Sequence, residues 1–352
     1  MLSRNIRVRT TLVLAALLVA GAARAQEPVD WEMVNRIRQE GLHHSRAMEI
    51  LTHLTEEIGP RLTGSPQMKA ANEWTRDEMA KWGLDARLEP FGPFGRGWSF
   101  SRATIHMVAP HEVPLIGLPV AWTPGTDGPV RGQAMKVTLE SEEDLEKHKG
   151  QLAGKILFLD DPRELEDATE PAVRRYTDSD LSDLVRFEEG DRRGRRDGNW
   201  RERFMKRWKL RKTLHQYLVD EGVVAVVDLS SRDAGLVRAT GGGSREPDEN
   251  PGVPRIMLTA EHYNRVLRLL DAEETVELEI DVAARFHDDD PMAYNTLADI
   301  KGSDKAGEIV MMGGHLDSWH GGTGATDNAA SVAVAMEAAR ILKELGVQPR
   351  RT

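Results

Sequence analysis

Gly313–Ala330 reads GGHLDSWHGGTGATDNAA. Two imidazoles, two carboxylates and five glycines stand here between an apolar run and a helix-period pattern. The run ahead of it, EIVMMGG from Glu308, predicts a strand. Behind it, Val332, Ala335, Met336, Ala339, Leu342 and Leu345 recur with helical spacing, which predicts a helix over Ala329–Leu345. Gly346 and Pro349 close that helix. A strand end followed by a helix is where open α/β sheets place their sites.

The spacing inside the stretch suggests metal chemistry. In extended backbone, side chains i and i+2 share a face. Asp317 is therefore placed to accept an imidazole N–H from His315 and fix its tautomer, as carboxylates do behind a metal-bound histidine. Asp327 follows Gly321, Gly322 and Gly324, which let the chain turn tightly around a cation. A carboxylate there ligates one metal or bridges two. Plainer readings stand beside these: His315 as a polar loop residue, and Asp327 as a helix N-cap. The glycines do not make a phosphate loop, because neither G-x-G-x-x-G nor a following Lys-Ser/Thr is present. Ser318 lacks a nucleophile-elbow setting. His320 reads as a loop-lining residue. Asp288-Asp289-Asp290, followed by Pro291, reads as a solvated turn.

Upstream, NTLADIKG is expected to form a hairpin with EIVMMGG across SDKAG. Further back, GKILFLDD (from Gly154) and GVVAVVDLS (from Gly222) are short β-branched runs bounded by polar turns, hence strands. VPRIMLTAEHYNRVLRLLD predicts a strand and then a helix, and TVELEIDVAARF alternates as a half-buried strand. Arg192–Lys212 carries eleven basic residues and two acidic ones, with Trp200, Phe204 and Trp208 interleaved. It reads as a loop leading into a helix rather than an anion-binding surface. Nearer the N-terminus, Ser65 predicts an N-cap with Pro66 at the first helical position, and Gly83 predicts the helix end. An earlier helix is expected over Val29 to about Glu57, and LDARLEPF reads as a strand.

Composition sets the outer limits. The 352 residues hold no cysteine, which excludes disulfides, thiol catalysis and Cys-ligated metal. The net charge of -10 argues against nucleic acid as a partner. Arg4, Arg7 and Arg9, the apolar Thr11–Ala23 and Ala23-Arg24-Ala25 read as a secretory signal. Its apolar core is too short to span a bilayer, so no stable membrane span is expected and the location is periplasmic or secreted.

These motifs together resemble the M28 family of zinc exopeptidases: GGHLDSW followed by GATDNAASVAVAMEAARIL, IGPRLTGSP near the N-terminus, and YNTLADIKGSDKAGEIVMM as the entry to the site. The resemblance implies an α/β fold. Its mixed sheet is flanked by helices, incomplete here, and it carries an inserted mainly-β protease-associated domain. The expected division is 1–25 signal, 26–101 first catalytic part, 102–286 insert, and 287–352 catalytic part continued. The resemblance further implies His315 as a zinc ligand, Asp327 as the bridge between two Zn²⁺, and Asp317 as the group holding His315. A non-proline cis peptide at Asp327-Asn328 belongs to the same pattern. The activity implied is exopeptidase action on a peptide substrate by a dizinc-activated water, with a glutamate moving the proton; similar proteins are often homodimers. That glutamate, which heads a Glu-Glu pair, and later Asp and His ligands have no counterpart in the 352 residues. The chain is thus expected to be an N-terminal part that binds zinc weakly and hydrolyses no peptide, with an apolar sheet edge near the last helix and poor solubility. Two alternatives remain beside it: glutaminyl cyclisation, and a non-catalytic binding protein on the same fold.

Overall fold

The computed structural model describes residues 29–165, 169, 171, 173–185 and 212–352. The signal-like segment and nearly all of the basic Arg192–Lys212 stretch lie outside these residues. The described chain forms a mixed α/β structure with two sheets.

The larger sheet has eight strands in the order β3-β2-β9-β5-β6-β7-β8-β4. They are β2 (Gly97–Ala109), β3 (Val113–Pro114), β4 (Gly117–Pro119), β5 (Val130–Lys136), β6 (Lys155–Phe158), β7 (Ala225–Leu229), β8 (Arg255–Leu258) and β9 (Glu277–His287). Strands β5 to β8 run parallel at its centre, while β2, β3, β4 and β9 complete it in antiparallel pairs. This explains why ILF and AVV are continuous apolar runs: central parallel strands are covered on both faces. On one face Ile156, Phe158, Val227 and Ile256 pack with Tyr263, Val266 and Leu267 of the helix Ala260–Asp271. On the other, Leu157 and Val226 pack with Leu145, Leu214 and Leu218. Strand β9, antiparallel and half-covered, alternates as its sequence does, with Leu278, Ile280 and Val282 buried. Each such side chain stabilises the fold by about 1.5–3 kcal/mol.

The smaller sheet pairs β1 (Asp85–Pro93) antiparallel with β10 (Met292–Asp299). Helices flank it: α1 (Trp31–His43), α2 (Ala47–Thr52), α3 (Pro66–Lys81) and a long helix, αC (Ala330–Glu344). Ser65 caps α3 by accepting from the Met68 N–H at 3.1 Å, with Pro66 at the first turn. Gly83 ends it with φ +81°. Ile50, Leu54, Ala71, Met79, Val332 and Met336 form the shared core.

Two expectations are corrected. The single helix over Val29–Glu57 is two helices, broken around His44–Arg46 and followed by a π-turn at His53–Ile58. The break lets the Arg46 N–H donate to buried Glu337 Oε1 of αC at 3.1 Å. The hairpin between NTLADIKG and EIVMMGG does not form. Among the described residues β10 pairs only with β1, and Glu308–Gly314 forms no strand. The connector bonds to the C-terminal residues instead: Ser303 N–H to Pro349 O, Lys305 N–H to Arg350 O, and Val310 N–H to Thr352 O at 2.8–3.0 Å. Ion pairs Arg350–Asp304 and Arg351–Glu308 reinforce that register. Backbone groups and opposite charges are thus satisfied by 349–352, and Ile309, Val310, Met311 and Met312 are left exposed.

Candidate metal centre

His315 leaves an extended segment rather than a strand, yet the i, i+2 relation with Asp317 holds. His315 Nδ1 lies 3.0 Å from Asp317 Oδ1 and 3.1 Å from the Asp317 carbonyl oxygen. The opposite ring nitrogen, Nε2, faces Asp327 Oδ1 at 2.8 Å. Both partners are open to solvent, with the His315 side chain 54% and that of Asp327 80% exposed. Burial pulls the His315 pKa down, but the Asp317 hydrogen bonds and the two carboxylates outweigh it, so the net shift is upward.

Asp327 is not a helix cap. The residue before αC is Ala329, which makes no side-chain cap, and Asp327 has non-helical φ/ψ of -124°/86°. The Asp327-Asn328 peptide is cis, as the family pattern implies.

The loop that carries these groups is held by residues the sequence did not single out. Arg61 is fully buried. Its Nε donates to Leu316 O, Nη1 to Leu54, Gly59 and Thr323 O, and Nη2 to Gly324 O, at 2.8–3.1 Å. Backbone bonds add to this, with Arg61 N–H donating to Ser318 Oγ and Ser318 N–H to Arg61 O, each at 3.0 Å. Ser318 is therefore a structural hydroxyl. Thr63 Oγ1 donates to Asp317 Oδ2 at 2.6 Å. The local signal was IGPRLTGSP itself, where an arginine sits inside a run of turn residues. Nothing in its spacing tells a buried arginine from a solvated one.

His320 is buried and donates its Nε2–H to Pro119 O at 2.7 Å, edge-on to Trp98 and Phe100. Burial pushes its pKa down, and its Nε2 is committed to Pro119 rather than to the cluster. The Asp288–Asp290 run is a turn: Asp288 pairs with Arg96, and Asp290 accepts from Met292 N–H and Tyr294 OH. The Arg96 hydrogen bond holds Asp288 below the usual carboxylate range. Glu337 is locked to Arg340 at 2.8 Å within the helix packing, away from the loop.

The donors fit zinc in kind. One imidazole nitrogen, with its partner nitrogen held by a carboxylate, faces a second carboxylate across an open space. They do not fit in number. Among the described residues no group of three or more His, Cys, Asp or Glu is gathered to hold a metal, whereas zinc centres use about three or four protein ligands. A groove of about 1310 Å³ opens beside His315, Asp317 and Thr63 and runs between β10 and αC, with Met68, Met79, Met311 and Met336 on its walls.

Residues 295–352, which contain the whole cluster, match the model of Peptidase family M28. The chain is 24% identical over 321 residues to carboxypeptidase Q of Homo sapiens, covering 89% of the chain and 57% of that protein. Carboxypeptidase Q of Rattus norvegicus is 26% identical over 317 residues with the same coverage. The chain thus spans a little over half the length of these curated relatives. A peptidase M28 precursor from Shewanella amazonensis SB2B has the same fold, with a TM-score of 0.57 at 23% identity, covering 91% of this chain and 65% of that one. These relatives are named as peptidases.

Proposed function

We propose that the chain carries part of a zinc-dependent exopeptidase, an aminopeptidase or a dipeptide-cleaving carboxypeptidase. In this reading His315 is a terminal ligand through Nε2, Asp327 is the carboxylate that bridges two zinc ions, and Asp317 holds the His315 ring. One observation carries it: His315 has a carboxylate on each ring nitrogen, one fixed by Thr63 and the other free in solvent, inside the segment that matches the peptidase family. Residues 102–286 are read as a protease-associated insert, and 26–101 with 287–352 as the catalytic part. The basic and apolar N-terminal run is read as an export signal. Among the described residues no helix is long and apolar enough to cross a membrane.

Zinc, when bound, supplies Lewis acidity toward a peptide carbonyl and an activated water. The chain's own residues supply the rest. Asp317 accepts the Nδ1 proton, so Nε2 presents its lone pair. Asp327 offers a solvent-open carboxylate whose Oδ1 already faces His315 Nε2, and the apolar groove alongside takes up substrate side chains and excludes water. A glutamate in reach of that water is not among the described residues near the cluster, because Glu337 is committed to Arg340. The described donors therefore support weak zinc binding and no turnover by themselves.

The test is isothermal titration with Zn²⁺, alongside hydrolysis of a dipeptide panel and of a peptide with N-terminal glutamine. Weak zinc binding lost in His315→Ala, with no turnover, is expected. Zinc binding that survives His315→Ala contradicts the ligand assignment. Chelator-sensitive turnover by this chain contradicts the limit placed on the donor set.

A further inference from the structure

Two side chains outside the matched family segment control the geometry of the cluster inside it. The Arg61 guanidinium has five N–H groups and no acceptor. In this structure all of its partners are backbone carbonyls, and three of them, Leu316, Thr323 and Gly324, lie on both flanks of the Leu316–Gly324 loop. The other two, Leu54 and Gly59, anchor it to the preceding turn. One rigid planar fork thus fixes where the loop leaves and where it returns. Gly324 is part of the same fit: its φ is +64°, and a Cβ there would lie 2.3 Å from Ser318 Cβ and 2.9 Å from Arg61 Nη2. Two residues along, Thr63 reaches Asp317 from the side opposite His315. Asp317 Oδ1 meets the imidazole while Oδ2 accepts the Thr63 hydroxyl. A carboxylate held at both oxygens has one orientation left.

We infer that Arg61 and Thr63 are positioning residues for the His315–Asp317–Asp327 cluster, Arg61 by clasping the loop and Thr63 by orienting the Asp317 carboxylate behind His315. This rests on the zinc reading above for its purpose, but not for its geometry. Lysine cannot replace Arg61, because a single ammonium presents three donors from one point and cannot serve carbonyls on both flanks. Serine can replace Thr63, since it keeps the hydroxyl, while valine keeps only the shape.

The experiment uses the full chain. For Arg61→Lys, hydrogen–deuterium exchange is followed in peptides covering Leu316–Gly324, with β6 and β7 of the large sheet as internal reference. Exchange in the loop is expected to speed up roughly 10–100-fold, the equivalent of losing bonds to a charged donor, with the sheet unchanged. Equal protection in the variant overturns the role of Arg61. For Thr63, the Nδ1–H resonance of His315 is recorded by proton–nitrogen NMR at one fixed pH. It is expected in the wild type and in Thr63→Ser, and broadened away in Thr63→Val. Its persistence in Thr63→Val, or its loss in Thr63→Ser, overturns the role of Thr63. If Arg61→Lys does not fold, the Thr63 pair still decides the inference. A separate Zn²⁺ titration of the wild type tells the two readings apart: failure to bind zinc refutes the metal reading, while exchange and ring-proton data still judge the positioning one.

Discussion

His315 Nε2 lies 2.8 Å from Asp327 Oδ1, and this contact joins the extended segment before the loop to the cis-peptide turn that starts αC. It is a close contact between the two groups that the zinc reading makes neighbours on one ion. Metal and proton therefore compete for the same place, and this competition governs the first two predictions.

Asp317 sets the quality of the histidine ligand. Asp317→Asn is expected to lower zinc affinity roughly 10–100-fold, the usual cost of removing a carboxylate behind a metal-bound histidine. Titration calorimetry on both proteins measures it. An unchanged affinity separates Asp317 from the site.

The pH dependence has a definite sign. Burial is the largest single influence on His315 and lowers its pKa, but the Asp317 hydrogen bonds and the two carboxylates together raise it above its ordinary value of 6.5. A raised folded-state pKa means that the protonated ring favours the folded form. That contribution is complete below 6.5 and is lost as pH rises through the higher folded value. Zinc needs the neutral ring, so its affinity is expected to climb with pH until that folded value is passed. In Asp317→Asn the climb is expected at lower pH. A zinc affinity that is flat with pH contradicts the ligand role of His315.

The loop geometry depends on Gly324. Gly324→Ala combines a positive φ with contacts that only a shift of Ser318 and Arg61 relieves. A loss of about 1–3 kcal/mol is expected, read from urea unfolding as a lower midpoint with unchanged slope.

Glu337 belongs to the packing and not to the chemistry. Arg340 reaches Glu337 at 2.8 Å and Glu40 at 3.0 Å with its side chain buried. The Glu337 hydrogen bond leads in raising the Arg340 pKa, so the charge persists at any working pH. Glu337→Ala is expected to cost about 3–5 kcal/mol by leaving that charge underpaired. Its effect on zinc affinity, by titration, is expected to be nil.

Ile309–Met312 together with the neighbouring groove makes an exposed apolar patch, which favours self-association. Light scattering is expected to show association that grows with concentration and is reduced by Met311→Lys. Unchanged scattering in that variant assigns the association to another surface.

The sequence made much of this visible through period and punctuation. The i, i+2 pair His315/Asp317, the cap at Ser65 and the buried runs ILF and AVV all follow from local geometry. The hairpin expectation failed because a β-prone segment is a strand only when an edge is available to it, and here the backbone of 303–310 bonds to 349–352 instead. The long first helix failed for a related reason. The Arg46 N–H finds its acceptor 291 positions away in Glu337, and no local pattern encodes that. Arg61 and Thr63 were illegible for the same cause, since Leu316 and Asp317, through which they hold the loop, lie 255 and 254 positions downstream. Tertiary contacts of this range decide structure without leaving a periodic trace.

The central claim is that His315 and Asp327 are ligands of one zinc ion. Crystals soaked in Zn²⁺ and measured at the zinc absorption edge test it most directly. The account predicts an anomalous peak between His315 Nε2 and the Asp327 carboxylate, with Asp317 still on Nδ1. A peak at Asp288–Asp290 or elsewhere, with the His315–Asp327 contact intact, would contradict it.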